Sequence, residues 1–241
     1  MKSRASSAYS IMAGSHGLTE AQQRNLNELM MKIKLTEKQA ETRDELIKKR
    51  DAPIELTPGA KSFIEDMVDA EVWQYTKSFS NYKTQKGNMC EDESISIVNS
   101  LWFTNFVKSD EELSTEFWTG HPDIVDYDNE MIIDIKTATD KRSFIKHYKN
   151  PVDLQYEWQV KCYLYMKGWT KGKVVYVLVD TPEELIPSYE DLSLHECGDL
   201  PLDLRVASFD VELTEEDKKM FDVKGKLASD YYNEYKSKFN V

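Results

Sequence analysis

Cysteine is scarce in this chain. Three occur in 241 residues, Cys90, Cys162 and Cys197, widely spaced. They form no Cys-x-x-Cys pair and no even-numbered set, which excludes a disulfide framework and suits a reducing, cytoplasmic setting. Long apolar runs are absent as well. None approaches the ~18 residues of a membrane span. The opening MKSRASSAYSIMAGSHG has no continuous apolar stretch, so no secretory leader is expected. Positive charge is in deficit, with 31 Lys and Arg against 43 Asp and Glu, a net charge of −12. That excludes a protein basic over its whole surface that coats nucleic acid without specificity. No internal repeat or low-complexity segment interrupts the chain. Its 40% hydrophobic and 31% charged residues argue against disorder. The length suits one large domain, or one domain with a substantial extension.

The charge is unevenly placed. Residues 51–140 carry 6 basic and 19 acidic side chains, whereas 141–175 carry 8 and 2. A strongly acidic block is followed by a basic one. Residues 1–50 and 176–241 carry net +4 and −9.

Periodicity and caps divide the chain. Thr19 and Thr36 precede apolar residues at helical spacing, and Thr36-Glu37-Lys38-Gln39 has the form of a capping box. Thr57-Pro58 opens a third helix through Phe63, Met67 and Val72. This front end, residues 1–80, reads as a helical segment against a core at 81–241. In the core, 90–107 reads as an amphipathic helix. Residues 113–127 and 130–138 read as strands joined at Asp128-Asn129, and 153–168 reads as a helix ending at Gly168. The run Lys173–Val179 suits a buried central strand. A short helix opens at Thr181-Pro182. An edge strand over 204–212 and a final helix capped by Thr214 complete the order.

The chemistry concentrates in Gly120-His121-Pro122-Asp123 and Ile132-Ile133-Asp134-Ile135-Lys136. Alternate strand residues share a face, so Asp134 and Lys136 project together while Ile133 and Ile135 turn to the other side. Two carboxylates, Asp123 and Asp134, can bind a hard cation such as Mg²⁺ through oxygen. The lysine can orient an attacking water or offset transition-state charge. Glu91, on the preceding helix, is a candidate third carboxylate. Gln159 and Tyr163 share a helix face at i,i+4. Each piece also has a plain reading. Asp-x-Lys can be an exposed strand pair. Glu91 can be a helix-dipole acid, and Gln159 with Tyr163 can be packing. Asp126 and Asp128 suit the turn, with Asp126 a conceivable substitute for Asp123. The case rests on the ordered set.

That set resembles the PD-(D/E)xK nucleases, and within them the YqaJ-like and lambda-type phage exonucleases of the RecB group. The matching residues are Gly87 with Glu91, Gly120-His121-Pro122-Asp123, Asp134-Ile135-Lys136, and Gln159 with Tyr163, over about residues 80–182. The resemblance implies an α/β, restriction-endonuclease-like core, a central mixed sheet flanked by helices, with an N-terminal helical extension. It implies a Mg²⁺- or Mn²⁺-dependent exonuclease on double-stranded DNA ends. Such an enzyme degrades one strand from a 5′ phosphate and leaves a 3′ single strand for an annealing partner. Asp123, Asp134, the Ile135 carbonyl and Glu91 would hold metal, Lys136 would be the catalytic lysine, and Gln159 and Tyr163 would support it. Arg4 and Ser7 are similar to residues that grip the 5′ phosphate, and Lys141 and Arg142 fall where substrate passes. The family's trimeric rings imply a homo-oligomer, with no membrane association. A four-cysteine iron–sulfur cluster, found in part of the RecB group, is excluded by cysteine count. Two other readings keep the motifs: a structure-specific or restriction-type endonuclease, and an inactive DNA-end-binding module.

Overall fold

The computed structural model describes residues 1–14, 17–75 and 81–239. The chain opens with β1 (Ser3–Arg4), one 3-10 turn (Ala5–Ser7) and the short helix α1 (Ala8–Met12). Ala5, Ala8, Ile11 and Met12 are all fully buried, so this stretch is core rather than tail. Periodicity could not find it, because five helical residues span too little to show a period.

Helices α2 (Glu20–Met31) and α3 (Glu37–Arg50) form a hairpin around Leu26, Leu29 and Leu46. Thr19 and Thr36 close reciprocal capping boxes with Gln22 and Gln39, as the sequence predicts. Thr57 caps α4 (Pro58–Val72), which packs on α1 and on the C-terminal helix.

Two helices precede the sheets: α5 (Tyr82–Met89) and α6 (Glu91–Trp102). The expected helix over 90–107 stops early. Phe103 adopts the left-handed conformation, and the Asn99 side chain accepts from the Phe106 N–H while donating to the Phe106 carbonyl. Those bonds turn the chain outward and end the helix.

The expected strand 113–127 is three strands. β2 (Leu113–Ser114) and β3 (Trp118–Gly120) join β1 in a small sheet ordered β1-β3-β2. β4 (Ile124–Asp126) begins after Pro122, which donates no ladder hydrogen bond. It starts a second, mixed sheet ordered β4-β5-β6-β7, with β5 (Met131–Thr137), β6 (Lys171–Val177) and β7 (Val206–Glu212). β5 pairs antiparallel to β4 and parallel to β6, and β7 is the antiparallel far edge. Helix α7 (Lys141–Lys149), which the sequence reading passes over, and α8 (Leu154–Lys167) connect β5 to β6. The helix expected at Thr181-Pro182 is one 3-10 turn, Glu183–Leu185. Thr214 caps α9 (Glu215–Lys236).

Helices cover both faces of the mixed sheet. Ile133, Ile135, Val175 and Val177 pack under α6 through Ile95 and Val98. Ile132, Val174 and Tyr176 pack under α8 through Val160 and Leu164. At Gly172 a Cβ would sit 2.5 Å from Val160 and 3.0 Å from the Ile132 carbonyl, so this glycine lets α8 lie close on the sheet. The expected architecture, a central mixed sheet flanked by helices with a helical extension, is the one observed.

Candidate active site

β4 is short, and its pairing with β5 ends at Ile124–Ile133. The next rung is made by a side chain: the Ile135 N–H donates to Asp123 Oδ2 at 2.7 Å. That bond fixes Asp123 beside β5, next to Asp134. Alternation along β5 sends Asp134 and Lys136 to the α8 side and Ile133 and Ile135 to the apolar side, as the sequence requires.

Asp134 is completely buried, and Lys136 Nζ lies 2.8 Å from its Oδ2. Apart from that ion pair, no hydrogen bond reaches either Asp134 oxygen among the described residues. Burial raises the Asp134 pKa against the pull of Lys136. Burial, reinforced by the Asp134 charge, pushes Asp123 up to about 7. Burial alone would lower Lys136, but Asp134 and Asp123 outweigh it and hold the ammonium above its ordinary pKa. Lys136 also stands 4.8 Å over the Tyr156 ring, a cation–π contact from α8 that the sequence reading did not anticipate.

Glu91, at the first position of α6, lines the same cleft as Asp123, Ile135 and Lys136, together with Thr84, Gly87, Asn88, Thr137 and Tyr156. The cleft holds about 330 Å³. The Glu91 carboxylate is paired with Lys108 at 2.6 Å. Among the described residues, no three His, Cys, Asp or Glu side chains close on one point. The donor set nevertheless fits a hard cation. Asp134 presents two buried oxygens, Oδ1 with no partner and Oδ2 with Lys136 alone, a costly arrangement that a further positive charge would relieve.

Gln159 and Tyr163 are brought together on α8. The Gln159 Nε2 donates to the Tyr163 hydroxyl at 3.1 Å, and that hydroxyl donates to the His121 carbonyl at 3.0 Å. Burial pushes the Tyr163 pKa upward, so the phenol stays neutral. It thereby pins the loop that presents Asp123. Gly120 is obligatory in that loop, because a Cβ would lie 2.8 Å from the Tyr163 ring and 3.0 Å from Ala5 Cβ.

Tyr163 also lines a second cavity of about 370 Å³, with Arg4, Ala5, Ser6, Glu112, Thr119, Gly120 and His121. Arg4 therefore faces the Gly120–His121 end of the loop that leads to Asp123, brought there by the parallel pairing of β1 with β3. Ser6 lines this cavity, whereas Ser7 does not. Lys141 and Arg142 lie at the start of α7. Lys141 donates to the Ser193 carbonyl at 2.7 Å, and Arg142 is exposed near Asp191. Asp126 is consumed by its turn, accepting from the Asp128 and Asn129 N–H groups and from the Asn129 side chain.

No family model matches the sequence, and no curated protein matches it. Solved structures do match. A phage-related exonuclease from Haemophilus somnus 129PT aligns with a TM-score of 0.74 at 21% identity, over 99% of this chain and 96% of its own. An alkaline exonuclease, LHK-Exo, from Laribacter hongkongensis aligns with a TM-score of 0.58 at 10% identity, over 99% of this chain and 90% of its own. Its complex with dAMP aligns with a TM-score of 0.54 at 11% identity, with the same coverages. This chain has the fold of those exonucleases along nearly its whole length.

Proposed function

We propose that this chain is a metal-dependent exonuclease that degrades one strand of linear double-stranded DNA, from a 5′-phosphorylated end in the 5′ to 3′ direction. One observation carries the reading. A fully buried carboxylate, Asp134, and a half-buried one, Asp123, adjoin Lys136 in a cleft, and neither Asp134 oxygen is hydrogen-bonded beyond the lysine. The exonuclease fold supports the reading, and the dAMP bound to one of its structural neighbours supports a deoxynucleotide substrate.

Asp134, Asp123 and the Ile135 carbonyl would hold a divalent cation, Mg²⁺ or Mn²⁺. Glu91 would join them when released from Lys108. Such a cation would supply Lewis acidity to the scissile phosphate and to an attacking water. Lys136 stays protonated because two carboxylates face it. It therefore suits a fixed positive charge on the phosphoryl oxygens. Tyr156 under its ammonium limits where that charge can go. Gln159 and Tyr163 hold the Gly120–Asp123 loop. Arg4 and Ser6 in the cavity lined by Tyr163 suit a terminal 5′ phosphate. A homo-oligomeric ring and an annealing partner for the 3′ strand complete the proposal.

Linear duplex labelled at either end, incubated with Mg²⁺, Mn²⁺ or EDTA, tests it. Mononucleotides should leave the 5′-labelled end, only with metal, and closed circular duplex should survive. Cleavage of the circle would make the enzyme an endonuclease. No cleavage with any divalent cation would sink the catalytic reading.

A further inference from the structure

Beyond Arg142, which the resemblance places where substrate passes, the solvent face of α7 has no role so far. Its inner side is well occupied. Phe144 is buried, and His147 stacks on Tyr176 with ring centroids 4.1 Å apart and planes 8° apart. Tyr176 meets Tyr156 at 6.0 Å, and Tyr156 lies under Lys136 at 4.8 Å. An unbroken row of rings thus ties α7 to the reacting centre. Its outer side carries Arg142, Ile145, Lys146, Tyr148 and Lys149, all exposed. Ile145 is 47% and Tyr148 54% exposed. No acidic residue occurs between 141 and 149 in a chain of net charge −12.

We infer that this face is a platform for single-stranded DNA, with bases stacking on Tyr148 and against Ile145 and the backbone lying along Arg142, Lys146 and Lys149. The inference rests on the nuclease reading for its ligand class. Charge selects a polyanion, and the apolar pair selects among polyanions. Duplex DNA offers phosphates but keeps its base faces stacked, so Tyr148 and Ile145 would gain nothing from it. A single strand exposes every base face to an aromatic platform flanked by cations. Phe144 beside Tyr148, with centroids 6.0 Å apart, supports that ring from within the fold. The row of rings links the helix that carries the platform to the centre that would separate one strand from the other, so the strand it receives would be one the reaction itself frees.

Binding can be read without cleavage. Fluorescence anisotropy of a short labelled oligo(dT), and of a blunt duplex hairpin, is measured in EDTA for the full chain and its variants. Stacking of this kind is worth a factor of about five or more per base. Tyr148→Ser should therefore weaken oligo(dT) binding at least about fivefold and leave hairpin binding unchanged. Tyr148→Phe should bind as wild type. Lys146→Gln should lower the slope of log affinity against log salt by about 0.7. The inference is overturned if wild type fails to bind oligo(dT), or if Tyr148→Ser binds it normally or loses both ligands together. It is also overturned if that variant alters the sedimentation of the free protein instead, which would make the face a contact between copies. Failure of metal-dependent cleavage with oligo(dT) binding intact would remove the nuclease reading and leave the platform standing.

Discussion

The two sides of β5 are one residue apart in sequence and follow opposite rules. Ile133 and Ile135 join Val98, Val175 and Val177 in a dry layer under α6. Each such side chain stabilises the fold by about 1.5–3 kcal/mol on leaving water. Asp134 and Lys136 face α8, where leaving water is costly to both. The same strand thus holds the sheet together on one side and stores unfavourable charge on the other. Stability and the proposed chemistry are separated by the alternation of a strand, with no need for separate elements.

Substitutions should keep that separation visible. Lys136→Met removes a positive charge aimed at the cleft while keeping the side-chain volume. We expect nuclease activity on linear duplex to fall about 10²–10³-fold with the circular dichroism spectrum unchanged. Loss of the native spectrum would instead make Lys136 a structural counter-ion. On the other side, Ile133→Ala opens a cavity in the apolar layer and should cost about 2–5 kcal/mol by urea titration. The activity per folded molecule should be retained. A selective loss of activity in Ile133→Ala would show that the two sides are not independent.

Asp123 stands between the two roles, because it completes the β4–β5 ladder and faces Asp134. Asp123→Ala strands the buried Ile135 N–H and should cost about 1–3 kcal/mol. Asp123→Asn keeps an acceptor oxygen and should be less damaging to stability, yet equally damaging to activity. If the two variants unfold alike, the Ile135 bond contributes nothing to the fold.

The polar side was the legible one. Asp134-Ile135-Lys136 announces its geometry because a period of two needs only three residues to show. Thr19, Thr36, Thr57 and Thr214 announced their helices because each cap is a local hydrogen bond. What stayed hidden depends on partners remote in sequence. The core role of Ala5 to Met12 comes from packing against α8, α4 and α9. The split of 113–127 follows from β1 pairing with β3, more than a hundred residues away. The hold of Lys108 on Glu91, and of Tyr156 under Lys136, needs loop and helix placement that no spacing encodes. Helix α7 was missed because its nine residues are mostly polar, with a single buried anchor, Phe144.

The smallest expected effect tests whether the polar side stores charge at all. A carboxyl whose folded pKa lies above its ordinary value keeps its proton after the unfolded chain has lost it. Asp123 spans such a window, from an ordinary 3.8 to about 7 in the fold. Between those values the folded state binds more protons than the unfolded state, so stability contributed at this site falls as pH rises. In EDTA, the melting temperature of wild type relative to Asp123→Asn should therefore decline from pH 4 towards pH 7 and level off above it. Using the difference between the two proteins cancels acids such as Glu111 and Asp180, whose lowered pKa values push the other way. Mg²⁺ at pH 7.5 should restore the lost degrees in wild type and give less to Asp134→Asn. A flat difference across the window would mean that the buried carboxylates carry no strain for a cation to relieve.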